Sequence, residues 1–175
     1  KRMSTGGKRP ILVISGNHDS PTRLQFGSKL MRKSGLYIKG ELDDKLEPII
    51  LQDEYGEVHF HLVPFAEPST VKHVFQCDSI HTYDDAMKNI IEKIEEKMDK
   101  TKRHVFVGHA FVTPDGEEGE NTCESERPLA IGGTECVNAH YFEPFHYTAL
   151  GHLHQAHFVL NETIRYPGSL LKFSA

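Results

Sequence analysis

Ile11-Leu12-Val13-Ile14-Ser15-Gly16-Asn17-His18-Asp19 decides how this chain is read: an apolar, β-branched run stops at a glycine, and metal-capable side chains follow at once. A short run of this kind, bounded by glycine, reads as a buried strand of an α/β sheet. The pattern returns twice. His104-Val105-Phe106-Val107 runs into Gly108-His109, and Tyr147-Thr148-Ala149-Leu150 runs into Gly151-His152-Leu153-His154. Ligands of such sheets collect beyond the carboxyl ends of the strands. The three endings therefore predict one site assembled from distant parts of the chain.

Working outward, Ser20-Pro21 reads as an N-cap and first helical position. Leu24, Leu30 and Met31 are expected on the inner face of that helix, with Gly35 as its stop. Such a helix would turn its first amides toward the site, an end suited to anions. Pro48 to Leu51 and Val58 to Leu62 read as strands around an Asp53-Glu54-Tyr55-Gly56 turn. Thr82 to Asp85 resembles a capping start, and Met87, Ile90, Ile91, Ile94 and Met98 follow with helical spacing. That helix feeds the strand at 104–107, a β–helix–β unit of a layered α/β fold. The acidic stretch 113–126 is expected to be a surface loop. His157 to Leu160 and Thr163 to Tyr166 read as a hairpin across Asn161-Glu162.

A length of 175 residues fits one domain with its own core. No apolar stretch approaches the roughly 20 residues of a membrane span. Cys77, Cys123 and Cys136 are three, widely spaced and without a Cys-x-x-Cys pair, which argues against a disulfide framework and for a reducing, cytoplasmic setting. The net charge of −5 counts against a nucleic-acid partner. Bound dications would reverse that sign where a phosphate docks. The chain opens on Lys1-Arg2-Met3 and ends at Phe173-Ser174-Ala175, and both ends read as cuts through a larger protein.

Neutral imidazole and amide oxygen are ligands for divalent transition ions. His152 and His154, splayed past a glycine, can each serve one of two neighbouring ions. His18 beside Asn17 then reads as a proton donor to a leaving oxygen, with Asp19 holding its ring. His59-Phe60-His61 has ligand spacing but alternates with Val58 and Leu62, as on a half-exposed strand, so it is read as structural. His73, His81, His104, His140, His146 and His157 are expected to be surface or hydrogen-bonded residues. The cysteines are expected to pack as small hydrophobes.

In this order, Gly-Asn-His-Asp, Gly-His and Gly-His-x-His resemble the calcineurin-like metallophosphoesterase superfamily. Ser125-Glu126-Arg127-Pro128-Leu129, Ile131-Gly132-Gly133-Thr134-Glu135 and Tyr166-Pro167-Gly168-Ser169 narrow the resemblance to its branch of double-strand break repair nucleases. The resemblance implies an αββα sandwich, truncated here at both ends, that carries two Mn²⁺ ions, with Mg²⁺ as the other ion such a site takes. It implies Asn17, His109 and His152 on one ion, His154 on the other and His18 as transition-state acid. It also implies cleavage of DNA in repair and recombination, an SMC-type ATPase partner and a homodimer. Arg23, Lys29, Arg32 and Lys33 follow the first motif and are candidates to track a DNA backbone, Arg23 foremost; a solvated helix face explains them equally well.

The superfamily's Asp-x-His and Gly-Asp-x-x-Asp motifs are not in the sequence and are expected before Ile11, and a DNA-capping domain after Ala175. Residues 1–175 by themselves are therefore expected to bind Mn²⁺ weakly and to cleave nothing. Two rivals stand beside the nuclease: a phosphatase or phosphodiesterase for small substrates, and a non-catalytic scaffold that binds DNA or a partner.

Overall fold

The structure is a computed structural model and describes residues 9–117 and 135–169. The turn at Asp53 to Gly56 closes a hairpin of β3 (Ile49–Asp53) and β4 (Gly56–Val63), with Ile49 opposite Phe60 and Asp53 opposite Gly56. From β4 the chain passes through α3 (Pro68–Phe75) and α4 (Tyr83–Glu95) into β5 (Arg103–His109), which returns parallel to β4. β8 (Tyr147–Gly151) lies parallel on the far side of β5 and places Gly151 opposite His109. β10 (Asn161–Tyr166) and β9 (His157–Val159) complete a mixed six-stranded sheet ordered β3-β4-β5-β8-β10-β9.

The first motif stands on a second sheet. β1 (Ile11–Ile14) pairs in parallel with β2 (Leu36–Lys39) and packs against β4 and β5. Two hydrogen bonds fix its end: Ser15 Oγ donates to the Gly40 carbonyl at 2.7 Å, and Phe65 N donates to the Ser15 carbonyl at 2.9 Å. A small parallel pair, β6 (Phe111–Thr113) with β7 (Cys136–Asn138), follows β5. The fold is thus mixed α/β, a central mixed sheet with helices and a second sheet against it.

α4 forms for the reasons its sequence shows. Asp85 N donates to Thr82 Oγ1 and Thr82 N to Asp85 Oδ2, both at 3.0 Å, a reciprocal capping box. Its periodic residues Met87, Ile90, Ile91 and Ile94 are all buried and join Val63, Phe106, Leu150 and Ile164 of four neighbouring strands in one core. Each such side chain contributes about 1.5–3 kcal/mol by leaving water.

Several expectations are corrected. The helix after Ser20 breaks at Gly27 into α1 (Pro21–Phe26) and α2 (Ser28–Arg32). Leu30 and Met31 on α2 face solvent, 75% and 45% exposed, whereas Leu24 on α1 is partly buried. α3 was not anticipated, its eight residues carrying a single buried side chain, Val71. The β9–β10 turn falls at Leu160, which has φ +62°, while Asn161 lies inside β10 and accepts from Thr163 N and Oγ1. His61 is buried at 4% exposure, not half-exposed, since the His104 and Phe145 rings pack against it. Cys136 is buried and Cys77 partly so. Cys123, most of the acidic loop and the block from Ser125 to Thr134 lie outside the described residues.

Candidate metal centre

β5 and β8 end side by side, and the chain leaving β1 arrives against them. There His109 Nε2 lies 2.9 Å from Asn17 Oδ1, between residues 92 apart in sequence. The His152 ring stands edge-on to that of His109, with centroids 5.2 Å apart. Asn17, His109 and His152 therefore meet. Ligand bonds of about 2.1 Å at right angles set neighbouring donor atoms roughly 3 Å apart, so the Asn17–His109 spacing suits two ligands of one ion.

Glycines make the approach possible. A Cβ on Gly16 would fall 2.7 Å from His109 Cε1, and one on Gly151 would fall 2.9 Å from His109 Nδ1. His152 itself adopts φ +112°, a conformation L-residues rarely take. Strain of this kind, of order 1–3 kcal/mol, gathers at functional positions. Burial holds the His109 imidazole down at about pKa 4, the neighbouring His152 adds to this, and Asp19 opposes it. Near neutral pH the ring is uncharged, the state a metal requires.

The other sequence-derived residues lie at the surface. His18, Asp19, Arg23 and His154 are exposed, and the His154 carbonyl accepts from Ser169 N at 2.9 Å. Asp19 Oδ2 accepts from Gly16 N at 2.8 Å and closes the loop that carries Asn17 and His18. Among the described residues, His, Cys, Asp and Glu form no group of three or more able to hold a metal. The trio here contains only two such residues, the third donor being an amide. Its chemistry fits a divalent transition ion but leaves the charge of that ion uncompensated.

Sequence reading passed over the wall beside this trio. A cavity of about 180 Å³ is lined by Asn17 and His152 and, opposite them, by Phe65, Tyr83, Glu67 and Glu135. Tyr83 Oη donates to Glu67 Oε2. Burial raises the Glu135 pKa, and the Glu67 carboxylate raises it further. Two carboxylates thus adjoin neutral donors. Tyr83 lies in the Thr82–Asp85 capping start and Glu135 closes the Ile131–Glu135 block, but neither pattern points to a shared wall, and Phe65 and Glu67 belong to none.

No family model matches the chain. It is 40% identical to the SbcD component of nuclease SbcCD from Staphylococcus epidermidis over 167 residues, 95% of this chain and 42% of that protein. It is 38% identical to the protein of the same name from Staphylococcus saprophyticus over 165 residues, 94% of this chain and again 42% of the relative. The chain therefore spans about two fifths of the length of the curated relatives it matches. The likeness runs along nearly all of this chain, which is similar to part of those nuclease subunits.

Proposed function

We propose that this chain is part of a metal-dependent DNA nuclease that hydrolyses phosphodiester bonds and works with an SbcC-like ATPase of the SMC type. The observation that carries this reading is the meeting of Asn17 with His109 and His152 at the ends of β1, β5 and β8. The names of the relatives agree with it. When bound, a pair of divalent ions, Mn²⁺ or Mg²⁺, supplies an acidified water and neutralises phosphoryl charge.

The residues divide the work. Asn17, His109 and His152 hold one ion and His154 the other, with carboxylates supplied from elsewhere in the whole protein. His18, exposed on the same loop as Asn17, gives its proton to the leaving oxygen. Asp19 keeps that loop closed through Gly16 N. Arg23, exposed in the last turn of α1, meets the DNA backbone. Two copies pair in the whole protein, and Phe26 and Leu30, 95% and 75% exposed on α1 and α2, are apolar side chains open to such a contact.

The full-length protein with Mn²⁺, assayed on hairpin DNA and on a generic phosphate ester, tests the reading. Cleavage of DNA is expected, and His18→Ala is expected to lower turnover by about 10²–10⁴-fold while metal binding persists. Turnover of the ester alone would favour a small-substrate phosphoesterase, and DNA binding without turnover a scaffold.

A further inference from the structure

His109 is the most constrained member of the trio, and one of its walls is aromatic. The Phe65 ring stands edge-on to His109, with centroids 6.1 Å apart and planes at 87°. Phe65 also meets the Tyr83 ring, at 5.9 Å and 31°. Tyr83 in turn is tethered through Oη to Glu67 Oε2. Both ends of this chain of contacts are anchored. Tyr83 opens α4 beside the Thr82 capping box, Glu67 precedes α3, and Phe65 N is bonded to the Ser15 carbonyl at the end of β1.

The packing behind these rings is incomplete. A void of about 20 Å³ lies among Phe65, Tyr83, Met87, Ile90 and His109. Phe65 is therefore not pinned by close packing alone, and a gap of this kind forfeits part of the contact energy that would hold a ring still. The Tyr83–Glu67 hydrogen bond takes up that freedom. Its hydroxyl is a charge-assisted donor to a carboxylate, stronger than a neutral pair.

We propose that Tyr83 is a positioning residue for His109: held by Glu67, it fixes Phe65, whose ring keeps the His109 imidazole turned toward Asn17. The proposal deepens the metal-centre reading above and rests on it for its functional consequence. Groups that orient a ligating histidine change metal affinity by about 10–100-fold when removed. Tyr83→Phe keeps the ring and deletes only the tether. It is expected to weaken Mn²⁺ binding about 10-fold, with turnover recovered at saturating Mn²⁺.

The test uses the full-length protein with labelled histidine. Calorimetric titration with Mn²⁺ alone measures affinity, and ¹⁵N–¹H spectra of the metal-free protein follow the His109 ring. Tyr83→Phe should shift the His109 ring signals and lower Mn²⁺ affinity, whereas Tyr55→Phe, at a residue 77% exposed, should do neither. A Tyr83→Phe protein with unchanged His109 signals overturns the proposal, whatever its melting temperature. If the signals shift but the parent itself binds no Mn²⁺, the positioning stands and the metal-centre reading falls.

Discussion

His61 and His104 are hydrogen-bonded ring to ring inside the sheet, Nε2 to Nδ1 at 3.0 Å, with His104 only 1% exposed. The tautomers follow from the neighbours. His104 Nε2 faces the Asp99 carbonyl at 2.8 Å, which can only accept, so it carries the proton. His104 Nδ1 is then the acceptor and His61 Nε2 the donor. This leaves His61 Nδ1 buried as a bare acceptor with no partner. His59 stands edge-on to His104, and His146 Nδ1 accepts from His104 N, so four imidazoles share the amino-terminal end of the strands, away from the candidate centre.

The pair makes the fold acid-labile. Burial, then His104 and His59, push the His61 pKa down from 6.5 to about 4. The unfolded chain therefore binds a proton in a range where the folded one does not. The stability contributed is whole above about pH 6.5 and is lost as pH falls toward 4, an effect on the order of 3 kcal/mol. Thermal melts between pH 7.5 and 4 should show this decline. His61→Leu should remove about half of it, the share of His109 remaining, at little cost near pH 7, since it removes the orphaned acceptor while leaving His104 Nδ1 without a donor. An unchanged pH profile in that variant would contradict the assignment.

Thr82→Ala removes one half of the capping box and should destabilise the protein by about 1 kcal/mol, measured by urea denaturation. The midpoint should shift without a change in slope, because the cap alters no buried area.

Much of this architecture is legible from pattern alone. The strands that run toward Gly16, Gly108 and Gly151 and the apolar stripe of α4 all form, although β1 is not the buried strand its apolar run predicts: Ile11 is 58% exposed and Leu12, Val13 and Ile14 are only partly buried. What escaped the sequence depends on contacts between elements. Whether His61 is buried is decided by His104 and Phe145, which reach it from distant parts of the chain and which its own alternation with Val58 and Leu62 does not encode. The Phe65–Tyr83–Glu67 wall joins the end of β4 to the starts of α3 and α4, and the capping motif that contains Tyr83 says nothing of its ring or hydroxyl partners. In the site, the strand endings predict the Asn17–His109 approach but not the Asp19–Gly16 bond, since a backbone N–H three residues away competes with the neighbouring imidazole for the same carboxylate.

Tyr166 offers a test of how the segment after His109 is held. Fully buried on β10, its hydroxyl donates to the Ala110 carbonyl at 2.6 Å and accepts from Val112 N at 2.8 Å. Tyr166→Phe leaves both backbone groups unpaired in the interior. A loss of about 2 kcal/mol or more is expected in chemical denaturation, together with faster amide exchange at Val112.

Gly16→Ala and Gly151→Ala probe the centre from its two sides. Each added methyl meets the same imidazole, at 2.7 Å from Cε1 or 2.9 Å from Nδ1, closer than Cβ atoms come in folded proteins. The ring is the mobile party, since Gly151 lies on a strand paired to β5 and Gly16 N is tied to Asp19. Relief requires His109 to rotate away from Asn17 Oδ1, which breaks their 2.9 Å contact. A misplacement of about 1 Å costs on the order of 10²-fold in rate. Either variant of the full-length protein should therefore lose Mn²⁺ affinity and turnover by at least 10-fold, while its melting temperature without metal moves by only a few degrees. Gly27→Ala, where a Cβ meets nothing within 4 Å, is the matched control and should bind Mn²⁺ as the parent does. If all three variants bind equally well, His109 does not sit where a metal would be held.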